Sequence, residues 1–360
     1  VSLQTGESDL TGEIRIDRTA KPSISGQVNS NHLDLRPFLA NKTESGPTTS
    51  QDSTAPDTSQ KVFDDTPVQA LQESPVNLDL KNRVAHARLI NTVLQDLAMD
   101  ILWSDHLFQL NPFQVSDQKG ARLDGGLLID GQDDMPDLTL KLNGKDLRLG
   151  IGAAENQDPE TYPPIELHID LHGSGRTKHE IAKSVNGTIR VFFGEGLYAA
   201  SGLSVIFSDF LTELLNVLNP FAKTSEFSRL ECGVLAADVQ SGVMDFDPIL
   251  IHDEKITIIS KGEIDLDSEK VDLEFRTKPR KGFGVSAGVI INSLIKVGGT
   301  LSSPGVELDA GSAVVSGGTA VATVGISLLA KSFADRFLSS KDPCGDARKK
   351  LDEHDAQKTP

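Results

Sequence analysis

The chain contains 360 residues, of which 38% are hydrophobic and 24% charged, a balance typical of folded proteins rather than disordered ones. Its 52 acidic residues outnumber its 35 basic ones, which gives a formal net charge of -17. This charge argues against binding to the nucleic-acid backbone and against electrostatic docking on anionic lipid headgroups, because both need clustered Lys and Arg.

Composition and pattern divide the chain into four predicted segments. Residues 1–40 carry short alternating strands and are expected to form a β-hairpin repeat at the end of an upstream unit. Residues 41–75 contain eleven Ser or Thr and four Pro. That composition buries too little apolar area to offset the entropy of ordering, so we expect a disordered linker. Residues 76–310 are the predicted main β domain, and residues 311–360 are a predicted C-terminal helix with a polar tail.

The main domain is dominated by alternation of apolar and polar residues, the pattern of a strand with one buried face. Gly and Asp interrupt the runs at short intervals, which is typical of hairpins and meanders. The short connections leave little room for crossover helices, so the sheet is expected to be antiparallel. The runs are VNLDLK (76–81), LAMDILW (97–103), LTLKLNG (138–144), GTIRVFF (187–193) and GEIDLDSEKVDLEF (262–275).

A hairpin unit recurs in the sequence. LTGEIRID at 10–17 matches LDGGLLID at 123–130, and PSISGQVNSNHLDL at 22–35 matches PDLTLKLNGKDLRL at 136–149. KGEIDLDSEKVDL at 261–273 resembles the first half alone. A β-hairpin used more than once explains the match most economically, while a chance similarity between generic hairpins stays open as the alternative.

Few helices are expected. Residues 176–187 are predicted to form a short one, with Thr177 and Glu180 placed as a capping box. Residues 204–221 carry a helical apolar stripe that is expected to pack on the sheet. The third predicted helix spans about 312–338, and its uncharged first part contains too much Gly, Ser and Thr for a transmembrane helix. We expect that helix to touch a membrane or an apolar groove.

Residues 163–175, PPIELHIDLHGSG, place Glu166, His168, Asp170 and His172 on one face of a predicted strand. A metal site and a solvent-exposed polar face both fit this pattern. Neighbouring positions on one face of a strand lie about 7 Å apart, so one cation reaches three of them only if the strand distorts. The polar face is therefore favoured. No nucleophile elbow, Walker motif or Cys–His pair accompanies it, and we expect no catalytic residue, no metal and no cofactor.

The opposite face of the same strand carries Ile165, Leu167, Ile169 and Leu171. Leaving them in water would forfeit about 6 to 12 kcal/mol, at roughly 1.5 to 3 kcal/mol for each side chain, which rivals the stability of a typical domain. The few predicted helices cannot cover a long sheet of this kind. Either two sheets stack as a sandwich, or one sheet curls and holds an apolar ligand, and this argument alone slightly favours the sandwich.

Cys232 and Cys344 are the only cysteines in the sequence, too few for a Cys-rich zinc site. Their spacing leaves two alternatives open, unrelated buried thiols or one disulfide formed in an oxidising compartment. A bond between them would close a loop of roughly 110 residues and stabilise the fold by about 4 to 5 kcal/mol through loop entropy.

Six segments, taken in order, resemble the AsmA family of bacterial envelope proteins. The shared features are alternating strands around Gly and Pro, a strand–helix–strand unit, a Cys-containing strand pair, a closing hairpin and a final Gly-Thr-Leu segment. The resemblance covers nearly the whole chain except residues 41–75. The segments are TGESDLTGEIRIDRTAKPSISGQVNSNHLDLRPFL (5–39), RLDGGLLIDGQDDMPDLTLKLNGKDLRLG (122–150), LHGSGRTKHEIAKSVNGTIRVFFGEG (171–196), SRLECGVLAADVQSGVMDFDPILI (228–251), KGEIDLDSEKVDLEFRTKPR (261–280) and VGGTLSSPGVELDAGSAVVSGG (297–318).

The resemblance implies a C-terminal AsmA-like region, in which repeated hairpin units form a curled antiparallel β-groove, similar to a β-taco, with a few amphipathic helices near the C-terminus. Proteins of this family are similar to bridge-like lipid-transfer proteins, are anchored in the inner membrane by an N-terminal helix and extend into the periplasm. The implied function is non-enzymatic transport of phospholipid between the inner and outer membranes, which supports outer-membrane biogenesis and integrity. The anchor would precede Val1, and a periplasmic location favours a Cys232–Cys344 disulfide.

Phospholipid acyl chains are expected to contact the apolar strand faces, with headgroups in water at the open edge. The C-terminal helix is expected to contact a membrane, further envelope proteins are expected partners, and nucleic acid is not. Two alternatives stay open, an assembly factor for outer-membrane proteins without lipid conduction and a metal-dependent enzyme at His168, Asp170 and His172. The predicted lipid-binding residues are Leu97, Met99, Ile101, Trp103, Leu138, Leu140, Leu142, Ile165, Leu167, Ile169, Leu171, Ile189, Val191, Ile264 and Leu266.

Overall fold

A computed structural model describes residues 2–6, 8–36, 61–68, 73–88, 93–116, 120–132, 135–148, 157–198, 227–280, 294–309 and 336–358. The fold is mainly β, an open, curled and mostly antiparallel sheet with few helices. The predicted fold class is therefore confirmed, and the described strands belong to one continuous sheet rather than to two stacked ones.

The described residues include seventeen strands, two α-helices and one 3-10 helix, Pro159–Thr161. Residues 336–339 are also helical. The α-helices are α1 (Lys178–Ser184) and α2 (Pro343–Lys358). The strands are β1 (Ser2–Thr5), β2 (Ser8–Asp17), β3 (Ser23–Asp34), β4 (Asn77–Arg88), β5 (Val93–Ser104), β6 (Leu107–Ser116), β7 (Arg122–Asp130), β8 (Asp137–Leu147), β9 (Ile165–Ser174), β10 (Asn186–Phe193), β11 (Gly196–Tyr198), β12 (Ser228–Gln240), β13 (Val243–Asp253), β14 (Ile256–Asp265), β15 (Lys270–Pro279), β16 (Leu294–Thr300) and β17 (Ser303–Asp309).

The strands follow one another across the sheet in chain order. β10 and β11 share one position because both pair with β12, and the other neighbours are antiparallel except β3 and β4. These two run parallel, with Ser23 opposite Asn77 and Leu33 opposite Ala87. A parallel pair needs a connection that returns along the length of the strands. β3 ends at Asp34 and β4 begins at Asn77, a separation long enough for such a connection.

The predicted disordered linker at 41–75 needs correction in its second half. Residues 61–68 are placed by backbone hydrogen bonds to the start of α1, and Ser74 N donates to Asp105 Oδ1 at 3.1 Å. Composition gave no sign of this, because the bonds to α1 use backbone groups that every residue type carries. Residues 41–60 lie outside the described residues.

The two predicted copies of the hairpin unit form β2–β3 and β7–β8. Their registers are equivalent, because Thr11 lies opposite Asn29 and Asp124 lies opposite Asn143. These are the same positions that the sequence match aligns. The repeat is therefore a structural unit and not a chance similarity between hairpins.

A glycine shared by the two copies lets the paired strands approach closely. A Cβ atom at Gly12 would overlap the carbonyl oxygen of Gln27, and one at Gly125 would overlap that of Lys141. We expect Gly125→Ala to lower the free energy of unfolding by about 1 to 3 kcal/mol, because backbone atoms must shift to admit the methyl group. Gly305→Ala is the matched control, since no atom beyond its chain neighbours lies within 4 Å of its Cβ position. Equal denaturant midpoints for the two variants would contradict this role.

The most deeply buried part of the sheet lies between β12 and β16. On one side, Ile258, Ile295 and Val297 are 2%, 0% and 1% exposed and belong to one apolar cluster. On the other side, Leu250 and its neighbours pack against Leu351 of α2. This part of the sheet is therefore covered on both sides and forms the hydrophobic core.

Helix α2 is fixed to the sheet by a covalent bond and by a buried ion pair. Cys232 and Cys344 form a disulfide with their Cα atoms 6.3 Å apart, as the family resemblance implies. Arg190, 5% exposed, donates to Asp355 Oδ1 and to Asp238 Oδ1, each at 2.7 Å. The segment predicted as a polar tail is therefore a packed helix. Its buried side chains, such as Ala347 and Leu351, are few among many charged residues, so the apolar period in the sequence is weak.

The predicted helix at 176–187 is confirmed as α1, which is capped where Glu180 N donates to Thr177 Oγ1 at 3.1 Å. The helix predicted at 204–221 and most of the one at 312–338 lie outside the described residues. Among the helices of the described segments, none combines the length and apolarity needed to cross a bilayer.

A buried histidine beside the disulfide makes stability depend on pH. Burial, followed by the nearby Arg280 guanidinium, lowers the pKa of His252 below its ordinary value of 6.5, and its Nδ1 lies 2.7 Å from Thr257 Oγ1. As the pH falls from about 7 to about 5, the unfolded chain binds a proton at this position before the folded protein does. The free energy of unfolding therefore falls in that interval, and we expect a shallower fall in His252→Gln. Identical pH profiles from urea titrations of the two proteins would contradict this assignment.

Candidate functional site: the apolar face of the sheet

One cross-strand row of side chains is apolar at every position from β4 to β9. Residues directly opposite each other on neighbouring strands project to the same side of a sheet. The row consists of Leu80, Ile101, Leu110, Leu127, Leu140 and Leu171. We call the side of the sheet defined by this row the apolar face.

Two further rows flank the first on the apolar face. Their only departures from apolar side chains are a few glycines and the polar Asn82, which lies opposite Met99 on β4. One row is Leu78, Trp103, Phe108, Ile129, Leu138 and Gly173, and the other is Asn82, Met99, Phe113, Gly125, Leu142, Ile169 and Ile189. The apolar face is therefore continuous across seven neighbouring strands.

The structure brings the predicted lining residues together on this face. Fourteen of the fifteen lie in strands, and the pairing of β5, β8, β9, β10 and β14 places all fourteen on the same side. The fifteenth, Leu266, follows β14 and lines a cavity with Leu138 and Leu171. The alternation within each strand determines which of its side chains share a face. The register of the pairing then places those faces on the same side of the sheet.

Three of the predicted lining residues are buried rather than half-buried. Leu97 is 9% exposed, Ile165 is 3% exposed and Leu266 is 7% exposed, and the first two belong to separate apolar clusters. Around Leu97 and Ile165, neighbouring side chains fill the space that a ligand would need, so we correct the role of these two residues to packing. Leu266 instead faces the cavity that it lines with Leu138 and Leu171. The other twelve side chains are half-buried. A half-buried apolar side chain keeps surface that a ligand can cover.

Sequence reasoning missed β6, although its Phe108, Leu110 and Phe113 lie on the apolar face. The pairing of β6 with β7 shifts register between Leu110 and Phe113, so two residues, Asn111 and Pro112, stand between successive inward positions. A bulge of this kind breaks the period-two pattern that identifies strands. The clustered aromatic and leucine residues were the remaining signal.

The only tryptophan, Trp103, lies on the apolar face between Leu78 and Phe108. Its indole Nε1 is buried and has no hydrogen-bond partner within the described part of the chain. The indole ring therefore reports on the apolar face, because no other tryptophan contributes to the fluorescence.

The other side of β9 is polar and forms surface contacts. Arg348 Nη2 of α2 donates to Glu166 Oε2 at 2.8 Å, and this hydrogen bond is the main reason that the pKa of Glu166 is lowered. Asp170 pairs with Lys141 at 3.2 Å, and His168 contacts the amide of Asn143. In the described ranges, no three His, Cys, Asp or Glu side chains come close enough to hold a metal ion. The sequence prediction of a polar outer face agrees with these contacts.

Comparisons with protein-family models, with curated proteins and with solved structures found no match to this chain.

Proposed function

We propose that the chain binds phospholipid acyl chains along the apolar face and transports them, without breaking a bond, in the periplasm of a bacterial envelope. The observation that carries this proposal is the continuous apolar face of β4 to β10, where most of the side chains are half-buried. On β12 to β16 the same face contains a cluster of fully buried side chains. An AsmA-like role in moving phospholipid towards the outer membrane fits this arrangement.

Within the described ranges, the half-buried side chains of the apolar face keep part of their apolar surface uncovered. Fully burying one Leu or Ile side chain is worth about 1.5 to 3 kcal/mol, and the twelve half-buried lining residues retain part of that free energy for a ligand. Hydrocarbon chains match such a surface because neither partner has polar groups to leave unpaired. A lining of aliphatic side chains has no directional contacts, so it binds different acyl chains and lets them slide.

The disulfide supports the proposed location. A bond between Cys232 and Cys344 persists in oxidising compartments such as the bacterial periplasm and is rare in the cytosol. The net charge of -17 supports contact with lipid tails over contact with anionic headgroups, because the protein surface repels anions.

Solvent extraction of the purified protein tests the proposal. We expect phospholipid in the extract, identified by mass spectrometry, at a constant ratio to protein after repeated purification. A lipid-free protein that still supports outer-membrane assembly would favour the alternative of an assembly factor and would contradict lipid transport.

A further inference from the structure

Residues 61–68 cross one end of the apolar face, and we call them the strap. Their backbone is paired with the start of α1, where Val68 N donates to Arg176 O at 3.2 Å and His179 N donates to Asp64 O at 3.0 Å. The strap thereby supplies acceptors for first-turn N–H groups of α1, which have no partner within the helix.

A buried carboxylate holds the other end of the strap. Glu269 is 2% exposed and accepts hydrogen bonds from Val62 N at 3.0 Å and from Phe63 N at 2.6 Å. Displacing the strap would take these donors from a buried charge, which is strongly unfavourable. His179 Nδ1 of α1 adds a contact to Asp65 Oδ1 of the strap at 3.2 Å. The strap is therefore held in place at both of its ends.

The strap, α1 and the sheet together line an open cavity of about 350 Å³. Phe63 and Val68 line it from the strap, Ile181 from α1, and Leu138, Leu171 and Met244 from the sheet. Lys178 is the only charged residue among those lining it, and its ammonium lies 3.5 Å from Asp64. The lining of the cavity is therefore apolar apart from one ion-paired lysine.

The cavity is continuous with the apolar face, because Leu138 and Leu171 belong to the cross-strand rows described above. Apolar cavities bind hydrocarbon rather than water, and one of about 150 Å³ accommodates benzene. A cavity of about 350 Å³ has room for a longer hydrocarbon segment. Its lining is apolar apart from Lys178, whose ammonium is already paired with Asp64.

We propose that this cavity seats the methyl end of one acyl chain, so that a lipid on the apolar face is held with its tail under the strap and its headgroup in water. This inference rests on the proposed function and adds a defined position at which the acyl chain ends. It predicts that different parts of one lipid contact different residues of the protein.

Photocrosslinking of the intact protein with a lipid probe tests the inference. Phosphatidylcholine carrying a diazirine at the end of one acyl chain is compared with the same lipid carrying it beside the glycerol. We expect the chain-end probe to label the peptides that contain Phe63 and Met244, as located by mass spectrometry, and the glycerol-side probe to leave them unlabelled. Labelling of β4 to β7 alone by the chain-end probe would overturn the cavity as the seat while leaving lipid binding intact. No labelling by either probe would overturn both proposals.

Variants that fill the cavity give a second readout. Ala182→Phe places a ring inside it from α1, and Val68→Phe does so from the strap, which tolerates change better because Val68 is only half-buried. We expect labelling of Met244 to fall at least about tenfold in either folded variant, the change that goes with about 1.4 kcal/mol of binding free energy. Total bound phospholipid, measured after extraction, should persist through the remaining apolar face. Unchanged labelling at Met244 in a folded variant would overturn the inference.

Discussion

Replacing Cys232 and Cys344 together by serine is expected to lower the free energy of unfolding by about 2 to 5 kcal/mol. The bond joins positions 112 residues apart, and a closed loop of that length removes much of the entropy of the unfolded chain. It also fixes α2 at the face where Leu250 and Ala347 pack together. Without the bond, the contacts of α2 with the sheet must hold the helix in place on their own.

Guanidinium titrations of the double variant and of the oxidised wild-type protein measure this loss. Wild-type protein in a reducing agent is the matched control, and it should unfold at the same guanidinium concentration as the double variant. Hydrogen exchange should accelerate first in α2, because its amides lose protection when the helix leaves the sheet. Equal midpoints with and without the bond would contradict a stabilising disulfide.

Leu142→Asp is expected to reduce bound phospholipid at least about tenfold, which corresponds to about 1.4 kcal/mol of binding free energy. Leu142 lies in a cross-strand row between Gly125 and Ile169 on the apolar face. An unpaired carboxylate at that position would have to lose its water beneath an acyl chain, which costs several kcal/mol. Phospholipid released by solvent extraction, relative to protein, is the measurement.

Asn143→Asp is the matched control, because the next residue of the same strand projects to the polar side and is exposed. It introduces the same charge without entering the apolar face, so its lipid content should equal that of the wild type. Leu167→Asp, on the neighbouring strand, provides an independent second test. Normal loading of a folded Leu142→Asp or Leu167→Asp protein would show that these side chains do not line the lipid path.

The sequence was sufficient for those features that depend on local pattern. Period-two alternation placed Leu138, Leu140 and Leu142 on one side of β8, and the repeat identified β2–β3 and β7–β8 as two copies of one hairpin unit. The capping box at Thr177 likewise located α1. Each of these follows from residues within a few positions of one another.

Features that depend on distant contacts were not predictable in the same way. The strap is held by Glu269, about two hundred positions further along the chain, and no local pattern joins the two. The parallel pair β3–β4 required knowledge of which strands are neighbours. Leu97 and Ile165 alternate like their neighbours, and only the packing around them shows that they are interior side chains.

Quenching of Trp103 fluorescence by phospholipid with brominated acyl chains tests most directly whether hydrocarbon occupies the apolar face. The chain contains a single tryptophan, which lies in a row with Leu78 and Phe108, and bromine quenches only on close approach. We predict that fluorescence falls when the tail-brominated lipid is bound and stays constant with the same lipid lacking bromine. Bound brominated lipid that leaves Trp103 fluorescence unchanged would contradict the account.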